Sequence, residues 1–131
     1  MMMPGKVQDL DPATFGKALE SGDRLVVVEF YTNTCVNCAA LKPVYEALSS
    51  EMGGEASFTR VNAASNPSIA ASFGIMGVPT IKFFCRGRPI GDIVGEVNAT
   101  VLRNTIKDFI KHRVECVSKS SILRLEMDGY G

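Results

Sequence analysis

At 131 residues the chain has the length of one ordinary domain, large enough to bury a core without disulfide staples. Lys plus Arg number 14 and Asp plus Glu 14, with no basic block and no basic stripe interleaved with aromatics, which argues against nucleic acid as a partner. No apolar run approaches membrane-spanning length, and Met1 to Gly5 lacks the charged, apolar and cleavage regions of a secretory signal, so a cytoplasmic protein with no membrane partner is expected.

Lys6 to Leu10 reads as a short edge strand. Asp11 is a helix N-cap with Pro12 at the first helical position; Phe15, Ala18 and Leu19 give one apolar face before Ser21 and Gly22 stop the helix. Leu25 to Val28, followed by Phe30 and Tyr31, is a β-branched and aromatic run of the kind a strand shows when both its faces are covered. Leu41, Val44, Tyr45, Leu48 and Met52 then recur at helical spacing, predicting a helix over 35–52 that Gly53 and Gly54 close. Pro43 lies inside it, where a missing N–H should bend the helix.

Residues 56–62 form the next predicted strand, parallel to 25–31 because a long helix separates the two. Asn66-Pro67 opens a short helix carrying Ile69, Ala70 and Phe73 and ending at Gly74. Residues 77–80 lead into a strand over 81–85, Arg86 to Pro89 make a reverse turn, and 90–94 return antiparallel. Asn98 caps a last helix whose Val101, Leu102, Thr105, Ile106, Phe109 and Ile110 are expected to face the sheet. The sum is an α/β domain over 1–113, a mixed sheet with helices on both faces. Residues 114–131 are an extension, either mobile or docking through the apolar segment 121–127.

Two cysteines punctuate this order. Cys35 falls at the first turn of the helix over 35–52, and Cys38 one turn further in. A helix start has unpaired N–H groups and partial positive charge, which favour a thiolate over a thiol, so the outer sulfur gains nucleophilicity at neutral pH. Its partner is near enough to close a disulfide without unfolding the chain. A single Cys-x-x-Cys in a strand–helix pattern points to redox chemistry or to a metal. With one histidine, His112, and no second such pair, a tetrahedral zinc site would have to recruit distant residues, and no metal site is expected. Cys85, ending a strand, reads as a small core residue, and Cys116 as a surface thiol open to glutathionylation or a dimer disulfide. His112 suits a helix C-terminus and needs no catalytic role.

Several of these segments taken together resemble thioredoxin, over residues 6–112. The resemblance rests on Glu29 six before Cys35, Phe30, the Cys35-Val36-Asn37-Cys38 pair, Pro43, Asn66-Pro67, the segment Gly74 to Thr80, and Gly95. It implies a thioredoxin fold, a central mixed sheet of about five strands flanked by four helices. It also implies that Cys35 attacks a target disulfide and Cys38 resolves the mixed disulfide. Pro79 is then expected in the cis form opposite the two sulfurs, with Val78 offering backbone hydrogen bonds to an extended substrate segment and Thr34 and Gly95 completing the contact surface.

Departures from the family pattern bear on reactivity. Thr34 stands where the family has tryptophan, and Val36-Asn37 where it has Gly-Pro; the intervening pair alters the helix start and so the thiolate stability and reduction potential. Glu29 occupies the position of a buried aspartate. As a functional group it relays a proton from Cys38 through water as Cys38 attacks Cys35; as a structural one it reaches solvent or Arg60. Arg60 matches the family's accompanying lysine, a modulating position that a permanently charged guanidinium fills differently or leaves for solvent.

The expected function is a thiol–disulfide oxidoreductase that reduces disulfides in protein partners and is itself re-reduced by an external, thioredoxin reductase-type donor. No Gly-x-Gly-x-x-Gly follows a strand, so no nicotinamide or flavin cofactor is expected. A monomer or weak dimer fits this reading. Two alternatives stay open: a glutathione-linked, glutaredoxin-like protein, and a non-catalytic module whose Cys-x-x-Cys holds a metal or an iron–sulfur cluster.

Overall fold

The apolar run 25–31 becomes the central strand of a sheet, because its side chains are claimed by helices on both faces. A computed structural model of the chain describes residues 7–20 and 24–112. In order, its elements are β1 (Gln8–Asp9), α1 (Pro12–Leu19), β2 (Leu25–Tyr31), α2 (Val36–Met52), β3 (Ala56–Asn62), α3 (Pro67–Ser72), β4 (Thr80–Cys85), β5 (Arg88–Val94) and α4 (Ala99–Lys111). The strands form one five-stranded sheet in the order β1-β3-β2-β4-β5. β1 and β2 pair parallel to β3, while β4 runs antiparallel to β2 and β5 antiparallel to β4.

Strand alternation divides the interior into two layers. Leu25 and Val27 point to one face, where Leu41, Tyr45 and Leu48 of α2 and Leu102 and Ile106 of α4 cover them. Val26, Val28 and Phe30 point to the other, against Phe15 and Leu19 of α1 and Ile69 of α3. Glu29 therefore lies on the α2 face, in register with Arg60 of β3 and Ile81 of β4. The thioredoxin fold expected from the resemblance is thus the observed architecture, five strands and four helices.

Local chemistry fixes the element ends. The Asp11 carboxylate accepts the N–H groups of Ala13 and Thr14, and the Thr14 hydroxyl accepts that of Asp11, a reciprocal cap worth about 1 kcal/mol. Asn98 Oδ1 accepts the Val101 N–H at 2.8 Å and starts α4. Gly53 ends α2 in a right-handed conformation, not the left-handed one usual for a closing glycine.

Three expectations shift. β1 is only Gln8–Asp9, because Leu10 turns into the α1 layer while its N–H donates to the Arg60 carbonyl at 2.8 Å. β5 begins at Arg88, since Arg86 and Gly87, with φ of 53° and 81°, complete the reversal in two residues. Pro89 thus sits inside β5, where the sheet margin tolerates it, and the register skips Ile90. On α4 the buried stripe is Leu102 and Ile106, with Phe109 packed against it. Val101 does not face the sheet and is 48% exposed, rotated about 100° from Leu102 by the helical period. The stop at Ser21-Gly22, Cys116 and the extension over 114–131 lie outside the described residues.

Candidate active site

The turn after β2 delivers the two cysteines to one end of the sheet. Cys35 is the N-cap of α2, one position earlier than the first turn expected from the sequence, with extended backbone and its sulfur facing the helix start. The Cys38 N–H points at Cys35 Sγ at 3.1 Å, so a backbone dipole is aimed at the sulfur that would carry negative charge after reduction. Cys35 and Cys38 are joined by a disulfide, with their Cα atoms 5.2 Å apart. Their exposures differ: Cys35 is half-buried, whereas Cys38, on the sheet-facing side of α2, is 2% exposed.

Opposite the sulfurs runs the segment before β4. The Val78–Pro79 bond is cis, and the Val78 carbonyl oxygen lies 3.6 Å from Cys35 Sγ. Thr80 donates its hydroxyl to the Gly77 carbonyl at 2.7 Å, tightening the turn, and the Gly95 N–H donates to the Pro79 carbonyl at 2.8 Å. Gly95 has φ of +90°, a backbone that a side chain would strain. Thus Val78, Pro79 and Gly95, distant in sequence, meet near Cys35. Thr34 and Asn37 are exposed beside the cysteines. Val36, next to Cys35, is 81% exposed, and Met76, on the segment before Pro79, is 96% exposed. Met76 had no separate signal in the sequence beyond its place before Pro79.

Behind Cys38, on the same face of the sheet, Glu29 is fully buried. Neither of its oxygens has a hydrogen-bond partner among the described residues, and Arg60 Nε stands 3.8 Å from Oε1, beyond hydrogen-bond reach. Burial pushes the carboxyl up to about 7 from 4.5, and the Arg60 charge restrains that rise without cancelling it. Solvent contact for Glu29 is therefore ruled out. Arg60 is not left to water either: 9% exposed, it lies with its guanidinium carbon 3.9 Å from the Tyr31 ring centre. Tyr31 in turn donates its hydroxyl to Asp9 Oδ1 at 2.7 Å. Tyr31 and Asp9 were not singled out from the sequence, although Tyr31, two residues after Glu29, shares its strand face.

A pocket of about 300 Å³ opens beside the disulfide, lined by Asp9, Tyr31, Cys35, Cys38, Lys42 and Arg60 among others. Among the described residues no group of three or more His, Cys, Asp or Glu side chains could hold a metal ion. No helix of the described residues is long and apolar enough to cross a membrane. Cys85 is buried at the end of β4 as expected, yet it is not a plain core thiol: it too is disulfide-bonded. His112 caps α4, its Nδ1 2.9 Å from the Asp108 carbonyl.

A thioredoxin family profile matches residues 6–108. The chain belongs to the thioredoxin family. It is 29% identical over 104 residues to a thioredoxin of Porphyra purpurea, covering 79% of this chain and 97% of that one. To a thioredoxin of Staphylococcus aureus (strain Mu50 / ATCC 700699) it is 36% identical over 90 residues, 69% of this chain and 82% of the relative. Among solved structures, a thioredoxin of Malassezia sympodialis superposes with a TM-score of 0.75 at 29% identity, over 84% of this chain and 96% of that one. A family fold that presents a closely spaced redox-active cysteine pair makes this thioredoxin-family protein a thiol–disulfide oxidoreductase, with the chemistry of a disulfide reductase.

Proposed function

We propose that this thioredoxin-family protein reduces disulfides of protein partners, with Cys35 as the attacking and Cys38 as the resolving sulfur. The observation that supports the assignment is the contrast in exposure within the pair, Cys35 being half-buried and Cys38 2% exposed. In the reduced protein the Cys35 thiolate attacks one sulfur of the target, the target S–S bond breaks, and one target thiolate leaves. Cys38 then gives its proton through water to the Glu29 carboxylate and attacks Cys35 Sγ; the bond between Cys35 and the target sulfur breaks, that sulfur leaves as a thiolate, and the 35–38 bond forms. Two electrons pass to the target. An external dithiol reductase of the thioredoxin reductase type returns them.

Val78, Pro79 and Gly95 form a ledge for an extended substrate strand, and Thr34, Val36 and Asn37 border it. The exposed Val36 and Met76 side chains favour a partially unfolded polypeptide over a small polar thiol. Arg60 modulates the relay through Glu29. This reading takes residues 1–113 as the catalytic domain and 114–131 as an extension, acting as a monomer or weak dimer in the cytoplasm.

The test is trapping. After reduction and exposure to oxidised protein substrates, a Cys38→Ser variant accumulates mixed disulfides through Cys35, resolved on non-reducing gels and mapped by mass spectrometry. Accumulation in Cys35→Ser instead would reverse the assignment, and turnover driven by glutathione alone would replace the donor.

A further inference from the structure

Four charged or polar side chains beyond the cysteines converge on one edge of the site. Asp9, Arg60 and Glu29 stand in one register row across β1, β3 and β2, and Tyr31 is two residues from Glu29 on the same face. The ion pair between Glu29 and Arg60 carries no hydrogen bond: Arg60 Nε stands 3.8 Å from Oε1, and both carboxylate oxygens lack hydrogen bonds among the described residues. The pocket beside the disulfide, which Arg60 also lines, gives this flexible side chain room to swing outward. What opposes that motion lies on the outer side: the Tyr31 ring under the guanidinium at 3.9 Å, itself pinned by a 2.7 Å hydrogen bond to Asp9.

We propose that Tyr31 and Asp9 form a positioning pair that holds the Arg60 guanidinium against the Glu29 carboxylate. They act through Arg60 and touch no reacting atom. The inference rests on the relay reading of Glu29 for its functional weight, but not for its geometry. Its physical content is a setting of proton affinity. With the guanidinium held close, the buried carboxylate is easier to ionise; with it released into the pocket, the carboxylate holds its proton to higher pH. The other groups around Glu29 are Asp9 on β1, Lys42, Tyr45 and Glu46 on α2, and Arg60 on β3. Asp9 and Glu46 oppose its ionisation and Lys42 assists it, so an undisplaced Asp9 gains nothing for Glu29 except by anchoring Tyr31.

The experiment follows the Glu29 side-chain carboxyl by carbon NMR across pH in the oxidised full chain. Tyr31→Leu removes the ring and should raise the Glu29 midpoint by about one unit. Tyr31→Phe keeps the ring, loses only the Asp9 anchor, and should give a smaller rise; Tyr31→Trp, which keeps a ring under the cation, should restore the wild-type midpoint. In an Arg60→Met background, where the cation is gone, Tyr31→Leu should produce no further movement. A midpoint unmoved in both Tyr31→Leu and Tyr31→Phe overturns the proposal, as does an equal rise in the Arg60→Met background. Should Tyr31→Leu fail to fold, the Phe and Trp pair decides. If instead Glu29→Gln leaves the pH profile of disulfide reduction unchanged, the relay reading fails while the midpoint result still judges the positioning pair.

Discussion

Glu29 and Arg60 face each other on adjacent parallel strands, yet their charged atoms stop 3.8 Å apart and share no hydrogen bond. A buried pair optimised for stability would close that gap, because an unsatisfied carboxylate is expensive to bury. Held open, the pair leaves a carboxyl whose midpoint of about 7 lets it take and give a proton at neutral pH.

Glu29→Gln should therefore move activity and stability in opposite directions. Loss of the proton acceptor should slow the resolving step by about a hundredfold at pH 7, seen as longer-lived mixed disulfide in stopped-flow reduction of a protein substrate. The wild-type rate should rise with pH through about 7 as Glu29 ionises, and the variant should lose that limb.

The sign of the stability effect is fixed by linkage. Because burial raises the folded carboxyl above its ordinary 4.5, the folded state holds the proton more tightly than the unfolded one. Stability from this group is full below pH 4.5 and is lost as pH rises through about 7, a swing of roughly 3 kcal/mol for a shift of this size. Urea unfolding at pH 5 and pH 8 should show the loss in wild type and its absence in Glu29→Gln.

Gly91→Ala should destabilise without altering the redox site. A Cβ there would meet Phe109 Cζ at 2.8 Å, and that ring cannot retreat freely because its centre lies 4.7 Å from that of Phe83. Overpacking of this kind costs about 1–3 kcal/mol, measurable as a lower unfolding midpoint with an unchanged pH profile of reduction.

Gly95→Ala places a side chain at φ of +90° and strains the N–H that reaches the Pro79 carbonyl. The expected outcome is a loss of about 1 kcal/mol in stability and a higher KM for an extended peptide disulfide. Reduction of a small aromatic disulfide should change far less.

Cys85 should resist alkylation in the unreduced, denatured protein, since it is disulfide-bonded. Peptide mapping without reduction identifies the sulfur to which Cys85 is joined.

Much of this was written in local pattern. Hydrophobic runs and caps at Asp11 and Asn98 gave the element order, because those signals depend on neighbours three or four residues away. Cys35, Cys38 and Glu29 were visible for the same reason, all within ten positions of one strand–helix turn. The Tyr31–Arg60–Asp9 arrangement was not, because it depends on three strands coming into register, and residues 9, 31 and 60 carry no mark of that pairing in sequence. Val101 departs from expectation because an apolar residue at the margin of a helical stripe fits the pattern almost as well as one at its centre. A cysteine at the end of an apolar strand is marked for burial, and burial says nothing about what the Cys85 sulfur is bonded to.

A protein that handles stretched-out polypeptides runs the hazard of lending them a place in its own sheet. Here the outermost strand on the β5 side carries a proline with no N–H to share and a break in register opposite Phe83 and Phe84. On the proposed reading a visiting chain rests on the ledge by the sulfurs, while along that margin it finds no straight row of amides on which to zip.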